Sequence, residues 1–170
     1  KVDGNWQMYL PFHWTVSSDA MDPYLVYRLI EPGYETWNQM GIYQRRLADY
    51  EQTAVISNQL TSHNCINCHN FPNQDPTQMV LHMRGQRGGT YLFQSGDITK
   101  LNGKVSDKIP SLVYPSWHPT GDFIAFSTNQ TRQAFHFNDD NRIEVMDYAS
   151  DLLLYDVKNN EVMTVPQLFS

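Results

Sequence analysis

Between Thr90 and Val165 the chain repeatedly alternates apolar and polar residues with a period of two, interrupted at short intervals by turn-forming residues. No other feature constrains the fold as strongly. Successive side chains of an extended strand point to opposite faces, so such segments bury one face in a sheet. Thr90-Tyr91-Leu92-Phe93-Gln94 and Ile98-Thr99-Lys100-Leu101 flank Ser95-Gly96-Asp97 and read as a hairpin. Leu112–Trp117 and Asp122–Thr128 form a second pair around His118-Pro119-Thr120-Gly121. Asp151–Val157 and Glu161–Val165 form a third around Lys158-Asn159-Asn160. The last two pairs predict a four-stranded antiparallel meander, the unit of a propeller blade, and Tyr91–Leu101 would be the outer pair of the blade before it.

The N-terminal half reads differently. Lys1 to about Ala20 holds Trp6, Tyr9, Phe12 and Trp14 around Pro11, an extended aromatic-rich arm. Asp22 and Pro23 have the form of a helix start, an N-cap followed by proline, with Pro32-Gly33 as the stop. Tyr34, Trp37, Met40, Tyr43 and Leu47 recur every three or four positions, predicting a helix over 34–50 interrupted at Gly41. Residues 53–64 are polar and read as loop. Asp75-Pro76 repeats the cap-plus-proline pattern and predicts a short helix over Thr77–Arg84. The expected organisation is therefore an arm, helices and a cysteine segment over 1–89, and antiparallel β over 90–170. The fold class is mainly β with an α- and loop-rich N-terminal part.

Composition narrows the function classes. Hydrophobic residues at 41% and charged residues at 18% suit a packed domain rather than a disordered chain. A net charge of −6 with no basic stripe argues against nucleic acid as a partner. No run of about 18 apolar residues offers a transmembrane segment. Lys1 leads into Trp6 without an apolar signal region, and the chain stops on Val165-Pro166-Gln167-Leu168-Phe169-Ser170, so it is expected to be a piece of something longer. Any membrane association would come from missing parts or from an assembly. Asn138-Asp139-Asp140-Asn141 reads as a solvated turn rather than a calcium loop, lacking the alternation of oxygen ligands. Gly85-Gln86-Arg87-Gly88-Gly89 lacks the lysine and helix of a phosphate loop. No Ser/His/Asp or paired-carboxylate arrangement stands out, so an electron carrier is favoured over an enzyme.

The chain's two cysteines both fall in Cys65-Ile66-Asn67-Cys68-His69. This is the attachment pattern of a c-type haem. Two thiols three residues apart can add to the two vinyl groups of one porphyrin, and the adjoining imidazole can take the iron as proximal ligand. A disulfide leaves His69 unexplained, and a thioredoxin-like pair needs a βαβ setting. A zinc site from Cys65, Cys68, His69 and His82 has enough ligands but no supporting finger spacing. One haem c is the expected cofactor. For the sixth ligand His82 is the first candidate, with Met79 and Met83 as alternatives on the same predicted helix face; His13, His63, His118 and His136 are more remote candidates. Arg84 or Arg87 could pair with haem propionates, because guanidinium matches carboxylate geometry.

Tyr114-Pro115-Ser116-Trp117-His118-Pro119-Thr120-Gly121-Asp122 resembles the blade-opening turn of TolB-like β-propeller repeats, with His118 and Thr120 in place of the usual serine and aspartate. With Arg28-Leu29-Ile30-Glu31-Pro32-Gly33-Tyr34, the Cys65–His69 motif and His82-Met83-Arg84-Gly85, the chain resembles a Bacteroidota envelope protein family that joins such a haem segment to a TolB-like propeller. The resemblance implies a periplasmic or cell-surface location, associated with the outer membrane of a Gram-negative bacterium. It also implies about one and a half blades of a larger propeller here, with the remaining blades beyond Ser170 or replaced by partner chains. The expected function is electron transfer by a monohaem c-type cytochrome to a redox or envelope protein partner. The alternatives are a binding or assembly module with structural haem, and a haem enzyme acting on a small ligand.

Overall fold

The computed structural model describes residues 3–30, 39–101, 112–136 and 143–164. These residues form eleven strands in three antiparallel sheets, each an up-and-down meander. The first sheet holds β1 (Tyr24–Leu29), β2 (Gly41–Arg46) and β3 (Gln52–Ser57). The second holds β4 (Cys65–Asn70), β5 (Gln78–Arg84), β6 (Gly89–Gln94) and β7 (Asp97–Lys100). The third holds β8 (Val113–Trp117), β9 (Phe123–Phe135), β10 (Ile143–Asp156) and β11 (Glu161–Thr164). All neighbours in each sheet are consecutive in sequence, so no crossover is needed.

The three hairpins expected from alternation are present. Ser95 and Gly96, both at positive φ (52° and 92°), make the two-residue turn between β6 and β7, as a twist-matched hairpin requires. Gly121 (φ 77°) sits in the turn joining β8 to β9, where the His118 amide donates to the Phe123 carbonyl at 2.9 Å. The predicted meander β8–β9–β10–β11 is the third sheet, and the predicted outer pair is β6–β7 of the second.

The N-terminal half departs from expectation. Among the described residues there is no α-helix, only short 3-10 turns. The segment after Pro23 is β1. Beyond Gln39 the predicted 34–50 helix is β2, while 34–38 lie outside the described residues. Gly41, which interrupted the helical stripe, is packed: a Cβ there would stand 2.8 Å from the Ile56 carbonyl oxygen on β3. Glycine permits this close approach of two strands. Thr77–Arg84 is almost wholly β5. Asp75 does accept backbone hydrogen bonding, but from the Thr77 amide at 2.9 Å, an Asx turn feeding a strand instead of a helix cap. Met79–Met83 is buried at every position, because β5 lies inside a sheet covered on both faces. A doubly buried strand carries no period of two for sequence inspection to find. The polar segment 53–64 supplies most of β3. The Asn138–Asn141 turn lies outside the described residues.

Alternation along β5 distributes its side chains to two cores. Val80 faces the third sheet, joining Leu92, Leu101, Leu112, Ile124, Phe126, Leu153 and Tyr155. Met79, Leu81 and Met83 face the first sheet with Ile42 and Ile66, rimmed by Val26, Ile56, Phe71, Tyr91 and Phe93. Each fully buried side chain of this size contributes about 1.5–3 kcal/mol. Polar links add to the contact between second and third sheets: the Trp117 indole donates to the Asn70 carbonyl at 3.3 Å, and the Asn73 amide to that of Pro119 at 2.7 Å. Trp6, Met8, Leu10, Phe12, Trp14 and Val16 form an arm in which each side chain is 74–99% exposed.

Candidate functional site

The cysteine motif makes up most of β4, which lies at one edge of the second sheet. Cross-strand pairing runs Cys65–Arg84, Ile66–Met83 and Asn67–His82, then skips to His69–Leu81. Cys68 is therefore the extra residue of a β-bulge, and its φ of 37° is one that residues with a Cβ rarely adopt. The bulge resets the alternation. Cys65 and Asn67 share a register face with His82, while Ile66 and His69 share the opposite face with Leu81. Both thiols are free: Cys65 is 8% exposed and Cys68 is half-buried. Burial pushes the Cys65 thiol up, against the opposing charges of Arg84 and Arg28.

His69 is half-buried, and desolvation moves its imidazole toward the neutral form; a hydrogen bond from its ring to the Val26 backbone acts the other way, and the Arg28 charge adds to the lowering. It lines a cleft of about 560 Å3 with Leu25, Val26, Phe71 and Pro76 among the apolar walls and Gln44 and Gln74 among the polar ones. Neither cysteine lines this cleft. The His69 and Phe71 rings meet edge-on with centroids 6.1 Å apart.

His82 is turned the other way. It is 4% exposed, and its Nδ1 lies 3.0 Å from Thr90 Oγ1, whose hydroxyl donates to the Leu112 carbonyl at 2.7 Å. With that hydroxyl proton committed, Nδ1 must carry the hydrogen. Burial, reinforced by the Arg84 charge, pushes the His82 pKa down to about 4. The structure thus does not bring His82 and His69 to one site: they sit on opposite faces of one sheet. Met79 and Met83 are on the His69 side, both in the core beneath the first sheet. Of the remote candidates, His13 and His63 are exposed, His118 is held in its own turn by Thr120 and His136 pairs with Glu144 at 3.2 Å.

Arg84 is exposed at the end of β5 beside Cys65, whereas Arg87 belongs to the following turn, where its carbonyl accepts from the Tyr91 hydroxyl. Sequence reading missed Arg28. From β1 its guanidinium donates to Asn67 Oδ1, in the middle of the motif. Thirty-nine residues separate the two in sequence, and no spacing rule links them. The only signal was that Arg28 opens one of the segments carrying the family resemblance.

The donor types, two free thiols and an imidazole directly after the second, are those of a c-type haem, but Cys65 is buried on the His82 face of the strand while His69 lines a cleft on the other face that neither cysteine reaches, so the three are not gathered on one face. Among the described residues no three His, Cys, Asp or Glu side chains are gathered to hold a bare metal ion, so the four ligands of the zinc alternative are not assembled. Nor is any helix of the described residues long and apolar enough to cross a membrane. No family model, curated protein or solved structure matches this chain.

Proposed function

We propose that this chain carries one covalent haem c on Cys65 and Cys68, with His69 as proximal ligand, and serves electron transfer in the envelope. The observation that carries the reading is the pentapeptide itself: the chain's two cysteines and an adjoining histidine in attachment register, both thiols free. When bound, such a group supplies a one-electron couple at iron. The chain's own residues do the rest. The bulge at Cys68 sets the backbone between the two thiols, and burial keeps His69 in the unprotonated form that can ligate. Met79 and Met83 stand on the His69 side of the sheet and are favoured over His82 for any sixth position, since Thr90 and the third sheet already engage His82.

Three stacked up-and-down sheets support reading the chain as successive blades of a larger TolB-like propeller, presenting the motif to a redox or envelope protein partner. Thioether attachment follows export, so the proposed compartment is the periplasm or cell surface. The test is a pyridine spectrum of the reduced, natively matured protein together with its intact mass. A haem c spectrum and a mass raised by one haem are expected. A mass equal to the bare polypeptide overturns the proposal.

A further inference from the structure

Residues 6–16 belong to none of the three sheets and contain neither helix nor turn. Proline at 11 keeps itself and Leu10 in extended backbone, and alternate side chains of an extended chain share one side. Trp6, Met8, Leu10, Phe12, Trp14 and Val16 then form one row, with Gln7, His13 and Thr15 on the opposite side. Every member of the row is exposed, and none joins either core. Between Asp3 and Asp19 the sequence has no aspartate, glutamate, lysine or arginine. Exposed apolar residues scattered singly need no explanation, but an uncharged row about 33 Å long does.

We propose that this arm is an interfacial anchor, which lays its apolar row into an uncharged, zwitterionic lipid surface. Tryptophan and tyrosine settle at the level of lipid headgroups, where one part of the ring is apolar and another is wet. Trp6 and Trp14 stand near the two ends of the row, with Tyr9 between them. The side chains enter only the boundary between headgroups and acyl chains, so the backbone stays where water can satisfy its polar groups. That depth suits a segment that no sheet pairs. Charge selects the lipid class: the chain carries a net −6 and the arm holds no lysine or arginine, so nothing draws it to anionic headgroups. Addition to the sheet edge of a second copy is the competing occupant. Pro11 counts against it on one edge of the arm, having no N–H for a ladder. The inference is independent of the haem reading, and it gives this chain its own route to a membrane surface.

The experiment is flotation of the full chain with phosphatidylcholine vesicles, read together with tryptophan emission. The unsubstituted chain is expected to float with the lipid and to emit at shorter wavelength. About 1 M salt should leave both unchanged, because no ion pair holds the arm down. Phe12→Ser and Trp14→Ser should each lower the partition coefficient about tenfold. Thr15→Asn on the opposite side, and Ile98→Ser, which removes an exposed apolar side chain from β7, should leave it unchanged. Circular dichroism checks that the sheets persist in each variant, and the flotation of the unsubstituted chain decides even if a variant does not fold. A chain that stays in the lipid-free fraction overturns the proposal, as does binding that requires anionic lipid. Binding that survives both arm substitutions, or falls equally with Ile98→Ser, overturns it too. So does a dimer in sedimentation that the arm variants dissolve while no chain floats, which would assign the arm to a second copy.

Discussion

The two cores on either side of the second sheet differ in ways that bear on function. The core toward the third sheet is built from branched and aromatic side chains. Phe126 and Tyr155 meet edge-on with centroids 6.5 Å apart, and both are essentially inaccessible. The core toward the first sheet contains Met79 and Met83, has a rim of half-buried residues, and opens into the cleft lined by His69. Aromatic and branched side chains fill one shape; methionine is unbranched and adapts to several. A single strand, β5, feeds both, so one sheet presents a rigid face and an adaptable one. His69 is on the adaptable side.

The contrast can be broken by substitution. Phe126→Ala removes a ring from the rigid core and should cost about 3–5 kcal/mol, read as a lower urea midpoint with unchanged slope. Loss of less than about 1 kcal/mol would mean that this core is the adaptable one. Acid should act nearly as strongly through His82. Its folded pKa of about 4 lies below the ordinary 6.5, so the unfolded chain takes up a proton that the folded chain refuses. The stability tied to neutral His82 is fully present above pH 6.5, is lost as pH falls toward 4, and amounts to roughly 3 kcal/mol. Urea midpoints between pH 7 and 4 should show this slope, and His82→Gln should flatten it. Smaller still is the effect expected in the methionine core: Met83→Leu should cost less than about 1.5 kcal/mol. A larger loss in thermal unfolding would show that methionine is needed there for its shape. Least of all, Trp14→Ser should move stability by no more than about 0.5 kcal/mol, since the Trp14 side chain is 75% exposed on the arm. A larger drop in the melting curve would place the arm among the packed elements.

What was legible in the sequence follows the same division. The hairpins of the second half could be read because each strand there has one face inside and one out, and because Ser95-Gly96 and the turn at Gly121 use residues that tolerate positive φ. Helices were expected at 22–30 and 77–84 because an aspartate before proline serves equally as a helix cap and as an Asx turn. At Asp75 the bond to the Thr77 amide shows which was used. Of the 34–50 stripe, the described residues Met40, Tyr43 and Leu47 fall just before, within and just after β2, so their helical spacing spans a strand and a turn. At the site, the Cys65–His69 pattern was visible as local spacing. That Arg28 meets Asn67, or that His69 and His82 occupy opposite faces, was not.

The sequence by itself determined the strands of the second half, their turns and the local spacing of Cys65, Cys68 and His69, because all of these are local: a period of two, a positive φ, thiols three residues apart. The tertiary structure alone decided that β5 is a strand covered on both faces, that the bulge at Cys68 separates Asn67 from His69 in register, and that Arg28 is brought to the motif. Those outcomes depend on which sheet covers which face, and burial between sheets is a property of the stacked assembly that no single segment encodes.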